Sequence, residues 1–165
     1  MFFPQKESKS TLGINVLGIR HFYEILEKKR SDLSTKATGD MKAEVIAMTE
    51  SLKGGESFCE FLNKTEDTKC MVGAPTAFVS HAWKYNFKIF KETLEDKFKD
   101  QHSEFLWVDI FCHNQHDELT SEEWIGAFES HIKKIGRTFM VFTPLNNPIP
   151  LSRSEPFISE ILITR

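Results

Sequence analysis

No stretch of this chain approaches the roughly 20 apolar residues that a membrane-spanning helix needs, so a helical membrane protein is not expected. Cysteine is scarce. Cys59, Cys70 and Cys112 are too few, and odd in number, to build a disulfide framework, which fits reduced thiols in the cytosol. Neither sign of charge dominates: 21 Lys and Arg face 24 Asp and Glu, for a formal net charge of -3. With no basic run interleaved with aromatics, neither nucleic acid nor an anionic membrane surface is expected as a partner. The start, Met1-Phe-Phe-Pro-Gln-Lys, shows neither the basic segment nor the long apolar core of a secretory signal, and cytoplasmic localisation is the expectation. Internal repeats are absent. Phenylalanine, by contrast, is abundant, and fifteen such rings in 165 residues supply most of the area for a core of one ordinary domain.

Three apolar runs organise the second half of the chain: Thr76-Ala-Phe-Val-Ser-His-Ala-Trp83, Phe105-Leu-Trp-Val-Asp109 with its continuation to His116, and Thr138-Phe-Met-Val-Phe-Thr-Pro144. Helical patterns separate them. Phe87, Phe90, Leu94 and Phe98 recur at spacings of three or four, which puts them on one face. Thr120-Ser-Glu-Glu123 has the form of a capping box, Trp124, Phe128, Ile132 and Ile135 follow as an inner face, and Gly136 is a natural left-handed stop. Strands apolar along their length and joined by helices predict an α/β fold with an open parallel sheet covered on both faces.

The first seventy residues read as a helical extension. Ile19, Phe22, Tyr23 and Leu26 make one helical face, Met41, Val45, Met48 and Leu52 a second that ends at Gly54-Gly55, and Phe58, Phe61 and Leu62 a short third. The expected division is a disordered N-terminus over 1–15, the helical extension over 16–70, and the α/β domain over 71–165. A helix start at Ser154-Glu-Pro156 is followed by few residues, so an α/β unit incomplete at its C-terminal end is also expected.

Ligands of parallel α/β sheets bind outside the carboxyl ends of the strands. Ser80, His81, Trp83, Asp109, Cys112, His113 and His116 all fall there. Ser80 and Asp109 suit ribose or phosphate-linked oxygens but also suit loop fastening. Trp83 suits stacking on a planar ring or simple packing. His81 and Cys112, each after a strand, have the layout of a cysteine hydrolase without its local signature, and a buried inert thiol is the commoner outcome. Cys112, His113 and His116 are metal-capable, yet no partner pair at zinc spacing accompanies them, and no metal is expected. Asn114-Gln115-His116 fits a hydrogen-bonded loop at the cleft mouth.

These residues also resemble a known family. Phe78-Val-Ser-His81 resembles the first box of Toll/interleukin-receptor (TIR) domains, Phe105-Leu-Trp-Val-Asp109 their second strand, and Ile135-Gly-Arg-Thr-Phe-Met-Val-Phe-Thr143 their third. Pro156-Phe-Ile-Ser-Glu160 occupies the place of their Trp-Cys-x-x-Glu segment, with Pro156 and Phe157 where the family has Trp and Cys. His81-Ala-Trp83 and Asn114-Gln-His116 are similar to TIR-like modules of large protist and invertebrate proteins. The likeness spans about residues 56 to 162.

What the resemblance implies is a flavodoxin-like sheet and a role in signalling or defence. Some members of the family cleave the nicotinamide glycosidic bond of NAD with a carboxylate that steadies an oxocarbenium-like centre. The match carries that role to Glu160. NAD would then be a substrate, with no separate cofactor, lying over Ser80, His81, Trp83 and Asp109. Other members are non-catalytic assembly modules that self-associate or recruit further TIR-like domains, and that alternative stays open here.

Overall fold

Five short strands, β1 (Gly13–Ile14), β2 (Val72–Gly73), β3 (Ala77–Ser80), β4 (Leu106–Trp107) and β5 (Thr138–Met140), form one mixed sheet in the order β2-β1-β4-β3-β5. The structure, a computed structural model, describes residues 12–50 and 55–142. The three apolar runs supply its parallel part. β3 pairs in parallel with β4, Phe78 opposite Trp107, and with β5, Val79 opposite Phe139. Helix α4 (Phe87–Phe98) connects β3 to β4, and α6 (Ser121–Ile135) lies between β4 and β5.

Pleating sends alternate side chains to opposite faces, and the helices divide accordingly. Phe78 stacks on Trp107 at 5.1 Å, and both meet Phe128 of α6 at 5.6 Å. Phe139 points the other way, where Phe98 of α4 reaches it edge-on at 5.3 Å. Both faces of the sheet are therefore covered, which is why its strands carry no alternation of polar residues. The stripe Phe87, Phe90, Leu94 and Phe98 is buried as its spacing requires. Thr120 and Glu123 close a reciprocal capping box at the start of α6, and Gly136 ends it in the left-handed region at φ 72°. There a side chain would be strained.

The remaining helices are α1 (Val16–Glu27), α2 (Met41–Thr49), α3 (Phe58–Leu62) and α5 (Asp109–Cys112). Phe22 of α1 is their meeting point. It contacts Phe58 of α3 at 5.0 Å, Phe111 of α5 at 5.1 Å and Phe87 of α4 at 5.8 Å, each edge-on. Such pairs add about 0.5–1.5 kcal/mol each beyond area burial.

Two expectations are corrected. The sheet is mixed rather than wholly parallel, because β1 runs antiparallel to both β2 and β4. Disorder through residue 15 does not hold at its last residues either: Gly13 and Ile14 form β1, inserted between β2 and β4. Two-residue strands leave no periodicity to read, which is why β1 and β2 were missed. A Cβ on Gly13 would lie 3.1 Å from the Leu106 carbonyl oxygen and equally close to the Pro75 Cα, so the crowded position favours glycine. The N-terminal half is consequently joined to the sheet through β1 and β2 and not merely laid against it. Leu52 and Gly54 of the second helical pattern lie outside the described residues.

Asn15 fixes this insertion. Only 1% exposed, it caps α1 by accepting from the Gly18 N–H at 3.1 Å, while its amide donates to the carbonyls of Cys70 (3.2 Å) and His102 (3.1 Å). Its backbone N–H reaches the Met71 carbonyl at 2.9 Å. The start of α1 and two distant segments are thus satisfied by one side chain. Asn15→Ala is expected to lower stability by about 2 kcal/mol, through the lost cap and two orphaned carbonyls, as read from the urea unfolding midpoint.

Candidate functional site

The apolar run of β4 stops because the chain turns at Val108 into α5, whose first residue is Asp109. Cys112 therefore sits on a short helix, with His113 and His116 in the turn beyond it, where the sequence placed all three directly along the strand edge. β3 ends at Ser80, and the loop after it carries His81 and Trp83. These two chain ends come together around the Asp109 carboxylate.

Asp109 is 6% exposed and fully engaged. Its Oδ2 accepts the indole N–H of Trp83 at 2.6 Å, and its Oδ1 accepts the backbone N–H of Ile110 at 2.7 Å. Its carbonyl receives the Gln115 side-chain amide at 2.9 Å and the His113 N–H at 3.0 Å. The His81 side chain is 2% exposed and lies between Asp109, with Nε2 3.8 Å from Oδ1, and the ring of Phe90 at 4.5 Å. Among the described residues, Nε2 of His81 has no hydrogen-bond partner. Burial pushes this imidazole below its ordinary value, against the upward pull of the Asp109 carboxylate and of a backbone bond to Val79.

The Asn114-Gln115-His116 turn is held by its own side chains. Asn114 Oδ1 accepts the His116 N–H at 3.1 Å, and His116 Nε2 lies 2.8 Å from the Thr49 hydroxyl of α2. Gly55, at φ 66°, packs so tightly on His116 that a Cβ there would fall 2.5 Å from the ring. His113 tilts against Trp124 at 4.3 Å, and His131 of α6 stacks on Trp107 at 4.5 Å. Burial lowers both imidazoles. Asp117 and Asp109 oppose the shift at His113, whereas His113 and Lys134 reinforce it at His131.

Of the candidate residues, the fold unites His81, Trp83 and Asp109. Ser80 ends its strand half-buried, its carbonyl accepting the Val141 N–H at 2.9 Å. Cys112 is fully buried, its sulfur 3.5 Å from that of Cys59 and 3.3 Å from the Val108 N–H. Its nearest polar neighbours are thus a second thiol and backbone groups, with no bond to His81. Glu160 lies outside the described residues, as do Thr143, Pro156 and Phe157. Among the described residues, no three of His, Cys, Asp and Glu gather in a metal-holding group, and no helix is long and apolar enough to cross a membrane.

Gln115 falls in the turn expected at the cleft mouth, whereas Phe90 and the Thr38–Asp40 turn had no signal as parts of the site. Gln115 and Phe90 brace Asp109 and His81 from outside their own strands. The turn at Thr38–Asp40 covers the loop after β3, the Gly39 N–H bonding to the Trp83 carbonyl at 2.8 Å and the Thr38 N–H to the Tyr85 carbonyl at 2.7 Å. Gly39 packs closely there: a Cβ would lie 3.2 Å from Trp83 Cε3, so the indole would have to give way by a few tenths of an ångström. A shallow hollow of about 410 Å³ opens near the start of α2, lined by residues including Arg30, Lys36 and Lys42, but Asp32 already pairs with Arg30 and Lys36. Comparison with protein-family models, curated proteins and solved structures finds no match for this chain.

Two outcomes follow from this geometry. Trp83→Phe keeps an aromatic side chain but removes the N–H and part of the ring, leaving the carboxylate oxygen without that bond, and is expected to cost about 2 kcal/mol in urea unfolding. The lowered histidines give a pH dependence of definite sign. Unfolded chains take up protons as pH falls through the ordinary 6.5 while folded His81, His113 and His131 stay neutral. Stability is therefore full above that value and declines as pH drops below it toward the folded-state values. The urea midpoint is expected to be lower at about pH 5.5 than at about pH 7.5, with His131→Gln narrowing the difference, and equal midpoints would contradict the assignment.

Proposed function

We propose that the chain is a TIR-like domain of flavodoxin type that serves signalling or defence by associating with copies of itself or with other TIR-like domains. The strand order supports the fold. The parallel strands run β4-β3-β5, so the first strand of the unit lies between the second and the third, as in a flavodoxin-like sheet. The crossovers α4 and α6 cover opposite faces, which is double winding.

The observation that carries the associative reading is the closure around Asp109. A catalytic centre presents its polar groups to a substrate, whereas here both carboxylate oxygens accept bonds from the chain itself and the neighbouring imidazole is 2% exposed. Trp83 is pinned by its edge and backed by Gly39, so it braces the loop. These groups act as fasteners that give the surrounding loops a fixed shape, and fixed loops are what a recognition surface needs.

Cleavage of NAD is the second reading, and one specific feature favours it. The strand order reverses at β3, so the topological crevice lies between β3 and β5, at Ser80, and not between β3 and β4 where Asp109 and Trp83 close the sheet. A nucleotide entering there would leave the Asp109 network intact and would need Glu160 to supply the carboxylate. Purified protein incubated with NAD across a wide concentration range separates the two. The expected result is no nicotinamide release from dilute or concentrated protein, together with a mass that rises with concentration in sedimentation velocity. Release that vanishes in Glu160→Ala would replace the associative reading with the enzymatic one.

A further inference from the structure

We propose that Cys59 and Cys112 are a reversible dithiol–disulfide pair that fastens α3 to α5. The residues are 53 positions apart in sequence, yet their sulfurs lie 3.5 Å from each other in the core. Both side chains are completely buried, whereas Cys70, the third cysteine of the chain, is exposed. From van der Waals contact the sulfurs need to close by roughly 1.5 Å to reach the ~2.05 Å of a disulfide. The helices that carry them are short, five residues in α3 and four in α5, so a small shift of either requires no distortion of a long hydrogen-bonded element.

Burial governs the rate. It pushes the Cys59 thiol well up, with Cys112 and Glu60 adding to the shift, so little Cys59 thiolate exists in the closed protein. Reaction then proceeds through local opening of the α3–α5 contact. The oxidant is a low-molecular-weight disulfide. One protein thiol loses its proton and attacks a sulfur of the reagent, breaking its S–S bond and releasing one small thiol. The second protein thiol, deprotonated in turn, attacks the protein-bound sulfur of that mixed disulfide and releases the second small thiol. Two electrons pass from the pair to the reagent, and the chain loses two hydrogens.

The bond would tie together two regions that already converge. α5 opens with Asp109 and leads into the turn whose His116 meets Thr49 of α2, so anchoring Cys112 to Cys59 immobilises the base of the strand-end network. It also closes a long loop of chain, which restricts the unfolded ensemble.

The test uses the full chain carrying Cys70→Ser, folded at neutral pH without denaturant and treated with oxidised glutathione. The expected product is a Cys59–Cys112 linked peptide in non-reducing mapping, with a melting temperature several degrees above that of the reduced chain and full reversal by dithiothreitol. Adding Cys59→Ala is expected to leave the melting temperature unchanged by the oxidant. The proposal is overturned if both thiols survive treatment of the folded protein, if they carry only glutathione adducts, or if the link forms only in urea. A link that forms in the folded protein without raising the melting temperature overturns the fastening role.

Discussion

A carboxylate just after β4 holds the strand-end edge of this molecule together. Removing an ionised carboxyl from water costs several kcal/mol unless its oxygens are paired. Asp109 meets that cost with the Trp83 indole on one oxygen and the Ile110 amide on the other, while its carbonyl gathers Gln115 and His113. The first bond crosses from β4 to the loop after β3. The others define how α5 starts and where the Asn114–His116 turn lies. Through that turn the network reaches Thr49 of α2 by way of His116. Four loops and helices thereby take their positions from one buried group.

Around this group the two faces of the sheet are packed unequally. On the α4 face, Phe22 draws rings from α3, α4 and α5 into one fully buried cluster, and large buried rings are the strongest source of stability in a domain of this size. On the other face, α6 has no fully buried residue, and Ile125 is 57% exposed. It is held by Phe128 against Phe78 and Trp107 and by Trp124 against His113. A helix with so few fully buried contacts opens at lower cost than the α4 face. The histidines of that interface, His113 and His131, add to the difference, since protonating either one favours exposure to water.

How far the sequence led depended on the length of each signal. Helices were legible wherever an apolar stripe ran for two turns or more, as with Phe87 to Phe98, and where a cap declared itself, as Thr120 and Gly136 did. The parallel strands were legible as apolar runs, although the second shrank to Leu106 and Trp107 because Val108 diverts the chain into α5. β1 and β2 were not legible, because two residues carry no period and their place in the sheet is fixed by distant bonds through Asn15. The site was legible in part. Strand ends correctly marked His81, Trp83 and Asp109 as neighbours, but residue type alone did not say whether they faced solvent or each other. That depended on Phe90 and the 38–40 turn, which approach from other parts of the chain.

This inward orientation matters for how the polar edge should be interpreted. A cluster of Ser, His, Trp and Asp at the ends of parallel strands resembles a catalytic set by composition, yet the same residues serve equally well to fasten loops. Fastening already engages both carboxylate oxygens of Asp109 with donors from the chain itself. What such a network provides is shape, because each loop it touches is fixed at several points and loses little entropy when a partner docks. The strand order reverses at β3, so the topological switch point of the sheet lies between β3 and β5, one strand junction away from the Asp109 bonds. Closure at one strand junction and the topological switch point at the next are therefore distinct properties of this edge. The first makes a rigid surface whether or not the second ever holds a nucleotide.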